Sequence, residues 1–193
     1  MNLPNKLTLF RVLLIPVFVA VLFITAIPYR FLIAAAIYGI ASLTDLFDGK
    51  IARKRNLITD FGKLLDPLAD KVFVTTALFC IICLTEHPTW RMILTIATII
   101  IVAREFLVTS LRLLVASRGV VIPAAYIGKI KTTLQMIAII CILIEMQFGG
   151  WLTENVAFDH WIGYIVLAAA VVTTIISGVQ YVVAYSSYLD PKQ

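Results

Sequence analysis

Residues 45–70 of the chain read DLFDGKIARKRNLITDFGKLLDPLAD and hold five of its eleven acidic residues. Asp45 and Asp48 are three positions apart, and Asp66 and Asp70 are four apart. On an α-helix, with about 100° per residue, each pair projects from one face. The stretch therefore predicts the end of one helix and the start of the next, joined by a short connection and packed antiparallel, with the two carboxylate pairs converging.

The composition around this stretch is that of a membrane protein. Of 193 residues, 61% are hydrophobic and only 14% are charged, too few polar residues to cover a soluble domain. Spanning a bilayer takes about 20 mostly apolar residues per helix. Six stretches qualify: 8–27, 31–53, 66–85, 91–117, 125–147 and 160–186. We expect an all-α membrane protein, one domain over residues 1–193, built as a bundle of six transmembrane helices.

Lysine and arginine residues set the expected orientation. Of the 16 such residues, only Arg30 and Arg91 fall at the junctions opposite the termini, and Arg104 lies within a span. Because cytosolic junctions carry the excess of these residues, both termini are expected in the cytosol. The net charge of +5 then belongs to one membrane face and does not indicate nucleic-acid binding. A bacterial plasma membrane is the expected location.

The four aspartates suggest a metal site. Carboxylates that converge near the membrane surface cannot all stay ionised unaided. Two hard divalent cations would resolve this repulsion, because such ions take oxygen ligands and share them with substrate phosphates. The alternative is a set of interfacial charges paired with nearby cations such as Lys50, Lys63 and Lys71.

The residues between the aspartates have two interpretations each. Gly49 and Ala52 share a face with the first carboxylate pair, where small residues allow either close helix packing or close approach of a nucleotide. Arg53, one turn later, is suited to binding phosphate or to anchoring the helix in the cytosol.

The stretch fits the pattern D-x2-D-G-x2-A-R-x8-G-x3-D-x3-D at every fixed position, and it thereby resembles the signature of the CDP-alcohol phosphotransferases. The matching residues are Asp45, Asp48, Gly49, Ala52, Arg53, Gly62, Asp66 and Asp70. Six spans with cytosolic termini agree with that family's architecture.

The resemblance implies a set of roles. Two divalent cations, Mg²⁺ or Mn²⁺, would be bound by Asp45, Asp48, Asp66 and Asp70, with Asp70 also acting as the general base. The CDP moiety would lie against Gly49, Ala52, Arg53 and Thr59. Asn5 and Thr8 also resemble a nucleotide-contacting segment of the family, although either residue could instead cap a helix.

The acceptor alcohol is a separate question. The segments 104–112 and 128–132 resemble those of family members that use CDP-diacylglycerol as donor and glycerol 3-phosphate as acceptor. Lone membrane arginines need counter-charges. A basic pocket for an anionic acceptor would contain Arg104, Arg112, Arg118, Lys129 and Lys131. The last three could instead be surface cations that reach towards water.

Alternatives remain at this point. The same chemistry could serve inositol phosphate, serine or phosphatidylglycerol as acceptor. A cation transporter would also use membrane aspartates, but the chain shows no inverted repeats, and its four aspartates lie towards one face of the membrane. The resemblance further implies a homodimer.

Overall fold

The computed structural model describes residues 3–55, 60–117, 126–152 and 161–186, and the side chains of 8–44, 69, 71–115, 126–148 and 161–185. Within these ranges the chain forms six α-helices and no strand. They are α1 (Leu3–Phe23), α2 (Arg30–Arg55), α3 (Asp60–Leu84), α4 (Pro88–Ser117), α5 (Tyr126–Leu152) and α6 (Trp161–Ser186). Each predicted span coincides with one helix, so the all-α prediction is confirmed for the described residues.

Three of the helices are long and apolar enough to cross a membrane. Their apolar stretches are Pro88–Val115, Tyr126–Phe148 and Trp161–Tyr185. The other three helices have shorter apolar stretches: Thr8–Phe23, Arg30–Thr44 and Lys71–Leu84. Each of these shorter stretches has one end at a limit of the described side chains, namely at residue 8, 44 or 71. The chain is therefore a helical membrane protein with at least three helices of spanning length.

The helices pack around α5. This helix lies against α6, α2 and α3, while α4 packs on α6 and α3, and α1 packs on α2 and α3. Apolar side chains with almost no exposure fill the centre, among them Leu78, Ile139 and Leu143. Many large apolar side chains point outwards instead, such as Leu13 and Val183, as expected of helices solvated by lipid.

An aromatic trio joins the first three helices. The ring centroid of Phe18 lies 6.2 Å from that of Tyr38 and 5.4 Å from that of Phe73. The Tyr38 and Phe73 rings meet edge to face, with centroids 5.2 Å apart. Tilted and edge-to-face pairs at such distances are favourable arrangements. The trio therefore fixes α1, α2 and α3 against one another at one level of the bundle.

The start of α6 is bound by a carboxylate from α5. Glu145 Oε1 accepts hydrogen bonds from the backbone N–H of Ile162, at 3.0 Å, and of Gly163, at 3.1 Å. These are two of the N–H groups that a helix start leaves without an intrahelical acceptor. A β-carbon on Gly163 would lie 2.5 Å from Ile142 Cγ1 and 3.0 Å from the Ile142 nitrogen. Glycine is thus required for α5 and α6 to approach this closely.

Gly163→Ala should destabilise the fold for this reason. The added methyl meets helix backbone, which cannot move aside, so we expect a loss of about 1–3 kcal/mol and a lower melting temperature in detergent. Gly39→Ala is the matched control, because its β-carbon would meet only Ile140 Cδ1, at 3.8 Å. Equal melting temperatures for the two variants would contradict the proposed close approach.

Candidate active site

The predicted metal-binding and nucleotide-binding residues lie mostly outside the described side chains. Asp45, Asp48, Gly49, Ala52 and Arg53 belong to α2, Asp66 and Asp70 to α3, and Asn5 to α1. Thr59 and Arg118 lie outside the described residues altogether. Among the described side chains no group of three or more histidine, cysteine, aspartate or glutamate residues is placed to bind a metal. The roles predicted for the metal-binding and nucleotide-binding residues therefore remain predictions.

The helix register nevertheless relates two of the aspartates to the aromatic trio. Asp45 follows Tyr38 by seven residues in α2, and Asp66 precedes Phe73 by seven in α3. Seven residues are about two turns, or ~10.5 Å along a helix, and return to nearly the same face. Because the Tyr38 and Phe73 rings touch, this register is compatible with the predicted convergence of the two aspartates at one depth.

Two polar residues near the start of α1 are buried. Thr8 is 1% exposed and Arg11 is 2% exposed, and both lie inside a helix that begins at Leu3. A helix cap is a flanking residue, so Thr8 does not have that role here. Arg11 is likewise buried in the interior of the bundle.

Seven of the described polar side chains form one network of contacts between α3, α4, α5 and α6. We call this set the basic cluster: Lys71, Arg104, Glu105, Arg112, Lys131, Ser177 and Tyr181. It contains three of the five cations predicted to bind an anionic acceptor.

Arg104 of α4 is held by three groups. Its guanidinium donates to Glu105 Oε1 at 3.1 Å and to the Ser177 hydroxyl of α6, and its Cζ lies 5.5 Å from the Tyr181 ring centroid. Gly178 adjoins its aliphatic part, since a β-carbon there would be 3.2 Å from Arg104 Cγ. The absence of a side chain at Gly178 lets the arginine pass close to α6.

Arg112 meets the same tyrosine two turns further along α4. Its Nη2 donates to the Tyr181 hydroxyl at 2.8 Å, and its Cζ lies 5.1 Å from the ring centroid. Both arginines therefore contact one aromatic ring, where cation–π attraction offsets part of their mutual repulsion. Tyr181 is itself 5% exposed and stacks on Tyr185 with an interplanar angle of 17°. One buried ring thus contacts both guanidinium groups.

Lys131 joins the cluster from α5 through Glu105. Its ammonium group and Arg104 both bind Glu105 Oε1, and its side chain is only 4% exposed. Lys129 is exposed and lies about 200° round the helix from Lys131, so the structure does not place it in the cluster. Of the predicted acceptor cations, Arg104, Arg112 and Lys131 are thus brought together.

Lys71 connects the cluster to the aspartate-bearing helix. This lysine follows Asp70 directly in α3, and its ammonium group donates to the Thr109 hydroxyl of α4. The Thr109 hydroxyl in turn donates to the Glu105 carbonyl oxygen at 2.7 Å. The backbone of Asp70 is therefore one residue away from the network that holds the arginines.

The sequence analysis missed Thr109, Ser177 and Tyr181. A signal for the last two was present: the polar positions 174, 177, 181 and 185 of an otherwise apolar helix recur every three or four residues and so share one face. In the structure all four side chains are buried. Buried polar groups in an apolar helix require partners, which marks that face as one that packs against other polar residues.

Comparison with known proteins identifies the family of the chain. A family model described as CDP-alcohol phosphatidyltransferase matches residues 1–176. The chain therefore belongs to the CDP-alcohol phosphatidyltransferase family, and the predicted enzyme class is confirmed.

Bacterial relatives match over nearly the whole chain. A Bacillus subtilis protein named CDP-diacylglycerol–glycerol-3-phosphate 3-phosphatidyltransferase is 41% identical over 192 residues, covering 93% of each chain. A Rickettsia bellii protein of the same name is 37% identical over 187 residues, covering 97% of each. A Mycobacterium tuberculosis H37Rv protein, named probable phosphatidylglycerophosphate synthase, is 40% identical over 183 residues, which are 94% of this chain and 80% of that protein.

Substitutions of Tyr181 should separate its ring from its hydroxyl. Tyr181→Phe removes the acceptor of the Arg112 bond and should cost about 1.5–3 kcal/mol of stability. Tyr181→Leu also removes both cation–π contacts and should lower the melting temperature in detergent further. Tyr29→Phe, at an exposed position, serves as the control. Equal losses for the two Tyr181 variants would show that the ring contributes nothing.

Proposed function

We propose that this chain transfers the phosphatidyl group of CDP-diacylglycerol to glycerol 3-phosphate, giving phosphatidylglycerophosphate and CMP. The names of its relatives support this pair of substrates. Within the described part of the chain, the observation that carries the proposal is the excess of positive charge in the basic cluster.

The basic cluster holds four cations and one carboxylate. Glu105 Oε1 pairs with Arg104 and Lys131, whose side chains are 11% and 4% exposed. Lys71 and Arg112 bind the neutral hydroxyls of Thr109 and Tyr181 instead. Cations inside a membrane bundle are costly unless counter-charges balance them. A phosphate monoester such as glycerol 3-phosphate supplies nearly two negative charges and three acceptor oxygens. A serine acceptor would leave this excess charge unbalanced.

The chemistry of the aspartate set fits divalent metal ions. Asp45, Asp48, Asp66 and Asp70 offer carboxylate oxygens, which are the ligands that Mg²⁺ and Mn²⁺ prefer. We propose that these residues hold two such ions, as the family resemblance implies. Ions bound there would stabilise negative charge on the pyrophosphate of the donor.

The residues between and before these aspartates would bind the donor. Gly49 and Ala52 allow the nucleotide to approach the backbone of α2, and Arg53 binds phosphate. Thr59, Asn5 and Thr8 would complete the contacts with the CDP group. The two acyl chains would remain in the bilayer, beside the apolar outer faces of the helices.

The reaction then needs a group that accepts a proton and an acceptor hydroxyl that is positioned for attack. The basic cluster binds the acceptor phosphate and leaves its hydroxyl free to reach the phosphorus that carries diacylglycerol. Asp70 takes the hydroxyl proton as the new phosphorus–oxygen bond forms. One oxygen of the donor bridges its two phosphorus atoms. The bond from this oxygen to the attacked phosphorus breaks, and the oxygen leaves as part of CMP.

Topology, location and assembly complete the proposal. The six helices all span a bacterial plasma membrane, with both termini and the active site at the cytosolic face, and two copies form a homodimer. Arg30 and Arg91 support this polarity, because they lie at helix starts opposite the basic cluster. Arg91 there donates to the backbone carbonyls of Thr85 and Glu86, at 2.9 Å and 3.0 Å.

The first experiment is a transfer assay on full-length protein in detergent with CDP-diacylglycerol, Mg²⁺ and labelled glycerol 3-phosphate. We expect label in the lipid phase and release of CMP, both dependent on the metal. Asp70→Asn should reduce the rate by about 10²–10⁴, the usual contribution of a general base. Asp60→Asn, a change in the same helix at a position that the signature leaves unspecified, should retain activity.

The outcomes are distinct. CMP release with another alcohol only would overturn the acceptor and retain the reaction class. Full activity in Asp70→Asn would overturn its role as the base. Cation flux in liposomes without CMP release would favour a transporter.

Arg104→Gln tests the proposed acceptor pocket. Losing one charge-assisted contact to phosphate should raise KM for glycerol 3-phosphate about tenfold, while KM for CDP-diacylglycerol changes little. Arg30→Gln removes a cation at the opposite end of the bundle and is the matched control. Equal effects on the two KM values would place Arg104 outside the acceptor pocket.

A further inference from the structure

Glu105 is the one acid of the basic cluster, and its position is unusual. A single oxygen, Oε1, binds both the Arg104 guanidinium and the Lys131 ammonium. Its side chain is 21% exposed, whereas the two cations are 11% and 4% exposed. The carboxylate is therefore more accessible than either of the two cations that it binds.

The carboxylate holds cations that come from different helices. Arg104 is on α4 and also donates to Ser177 of α6, while Lys131 is on α5. The backbone of Glu105 accepts the Thr109 hydroxyl, which Lys71 of α3 binds. Glu105 thus connects four helices. Two of these connections pass through the Arg104 guanidinium and the Lys131 ammonium, which could both contact an anion.

An acid in an anion-binding pocket repels the anion, but replacing it has two opposite effects. Replacing Glu105 by glutamine removes a negative charge and strengthens the attraction for phosphate at long range. It also removes the carboxylate that keeps Arg104 and Lys131 together. A lysine that loses such a partner in an apolar bundle either gives up its proton or turns towards water. Either response removes a positive charge from the pocket, and Arg104 loses its ion pair as well, so the second effect outweighs the first.

We propose that Glu105 is a positioning residue of the acceptor pocket, which orients Arg104 and Lys131 so that both reach one phosphate group. This inference rests on the function proposed above. It makes the pocket selective for phosphate-bearing acceptors through the spacing of two cations and not through total positive charge. A bound phosphate then meets donors already in place, which avoids the cost of ordering two long side chains.

The test uses purified full-length protein in detergent and steady-state kinetics with both substrates varied. Glu105→Gln keeps the shape of the side chain and removes its charge. We expect KM for glycerol 3-phosphate to rise about tenfold, and KM for CDP-diacylglycerol to change by less than about twofold. Lys131→Met should raise KM for the acceptor similarly. Adding Glu105→Gln to Lys131→Met should then raise this KM by a smaller factor than Glu105→Gln does alone, because only the link to Arg104 is left to lose.

Glu145→Gln is the matched control. Glu145 is also a part-buried acid on a membrane helix, but it binds the backbone at the start of α6. Its variant should lower the melting temperature and leave both KM values unchanged. The proposed positioning role of Glu105 is overturned if Glu105→Gln lowers the melting temperature or kcat and leaves the acceptor KM unchanged. A lower acceptor KM would overturn it too, because long-range charge would then dominate.

The wild-type enzyme separates this inference from the proposed function. Transfer of label from glycerol 3-phosphate to lipid supports the function by itself, whatever the variants do. If the wild type uses a different phosphate-bearing acceptor, the function fails, and a raised KM for that acceptor in Glu105→Gln still supports the inference. If the wild type uses only acceptors without phosphate, both are overturned.

Discussion

An ionised side chain placed among apolar helices costs at least about 2.5–3.5 kcal/mol, and more if it has no partner. In this chain Glu105 meets that constraint for two cations at once, through the contacts of its Oε1 with Arg104 and Lys131. The other contacts of the cations are with the Tyr181 ring and the Ser177 hydroxyl of α6 and with the Thr109 hydroxyl of α4. The arrangement of α3, α4, α5 and α6 at this level therefore follows from where these charges can be balanced.

The other parts of the bundle have different fixed points. The aromatic trio of Phe18, Tyr38 and Phe73 holds α1, α2 and α3 together without any charge. At the end opposite the basic cluster, Glu145 binds the start of α6, and Gly163 lets α5 and α6 approach closely. Rigid packing at these places leaves the polar groups of the basic cluster in defined positions, as a site for small charged molecules requires.

The sequence predicts the helices well because apolar length is a strong signal in a membrane chain. It predicts their ends less well: α1 begins at Leu3 and α3 at Asp60, earlier than the apolar stretches that reveal them. A helix continues past the apolar part wherever backbone hydrogen bonds persist, and hydropathy does not report that. Arg104 was identifiable as a candidate because intramembrane cations are rare, and Arg112 and Lys131 because their segments resemble those of the family. The contacts of the two arginines with Tyr181, and of Arg104 and Lys131 with Glu105, were not, because they depend on which faces of α4, α5 and α6 meet.

Under the proposed function, the family signature and the acceptor pocket occupy different parts of the molecule. The signature that identifies the family lies on α2 and α3, whereas the basic cluster lies mainly on α4, α5 and α6. A change of acceptor could therefore arise by altering the second group of helices without disturbing the first. Lys71 is the point where the two meet, since it follows Asp70 in α3 and binds Thr109 of α4. An acceptor held by the cluster would consequently lie within reach of the proposed base, because one lysine fixes α4 beside the helix that carries it.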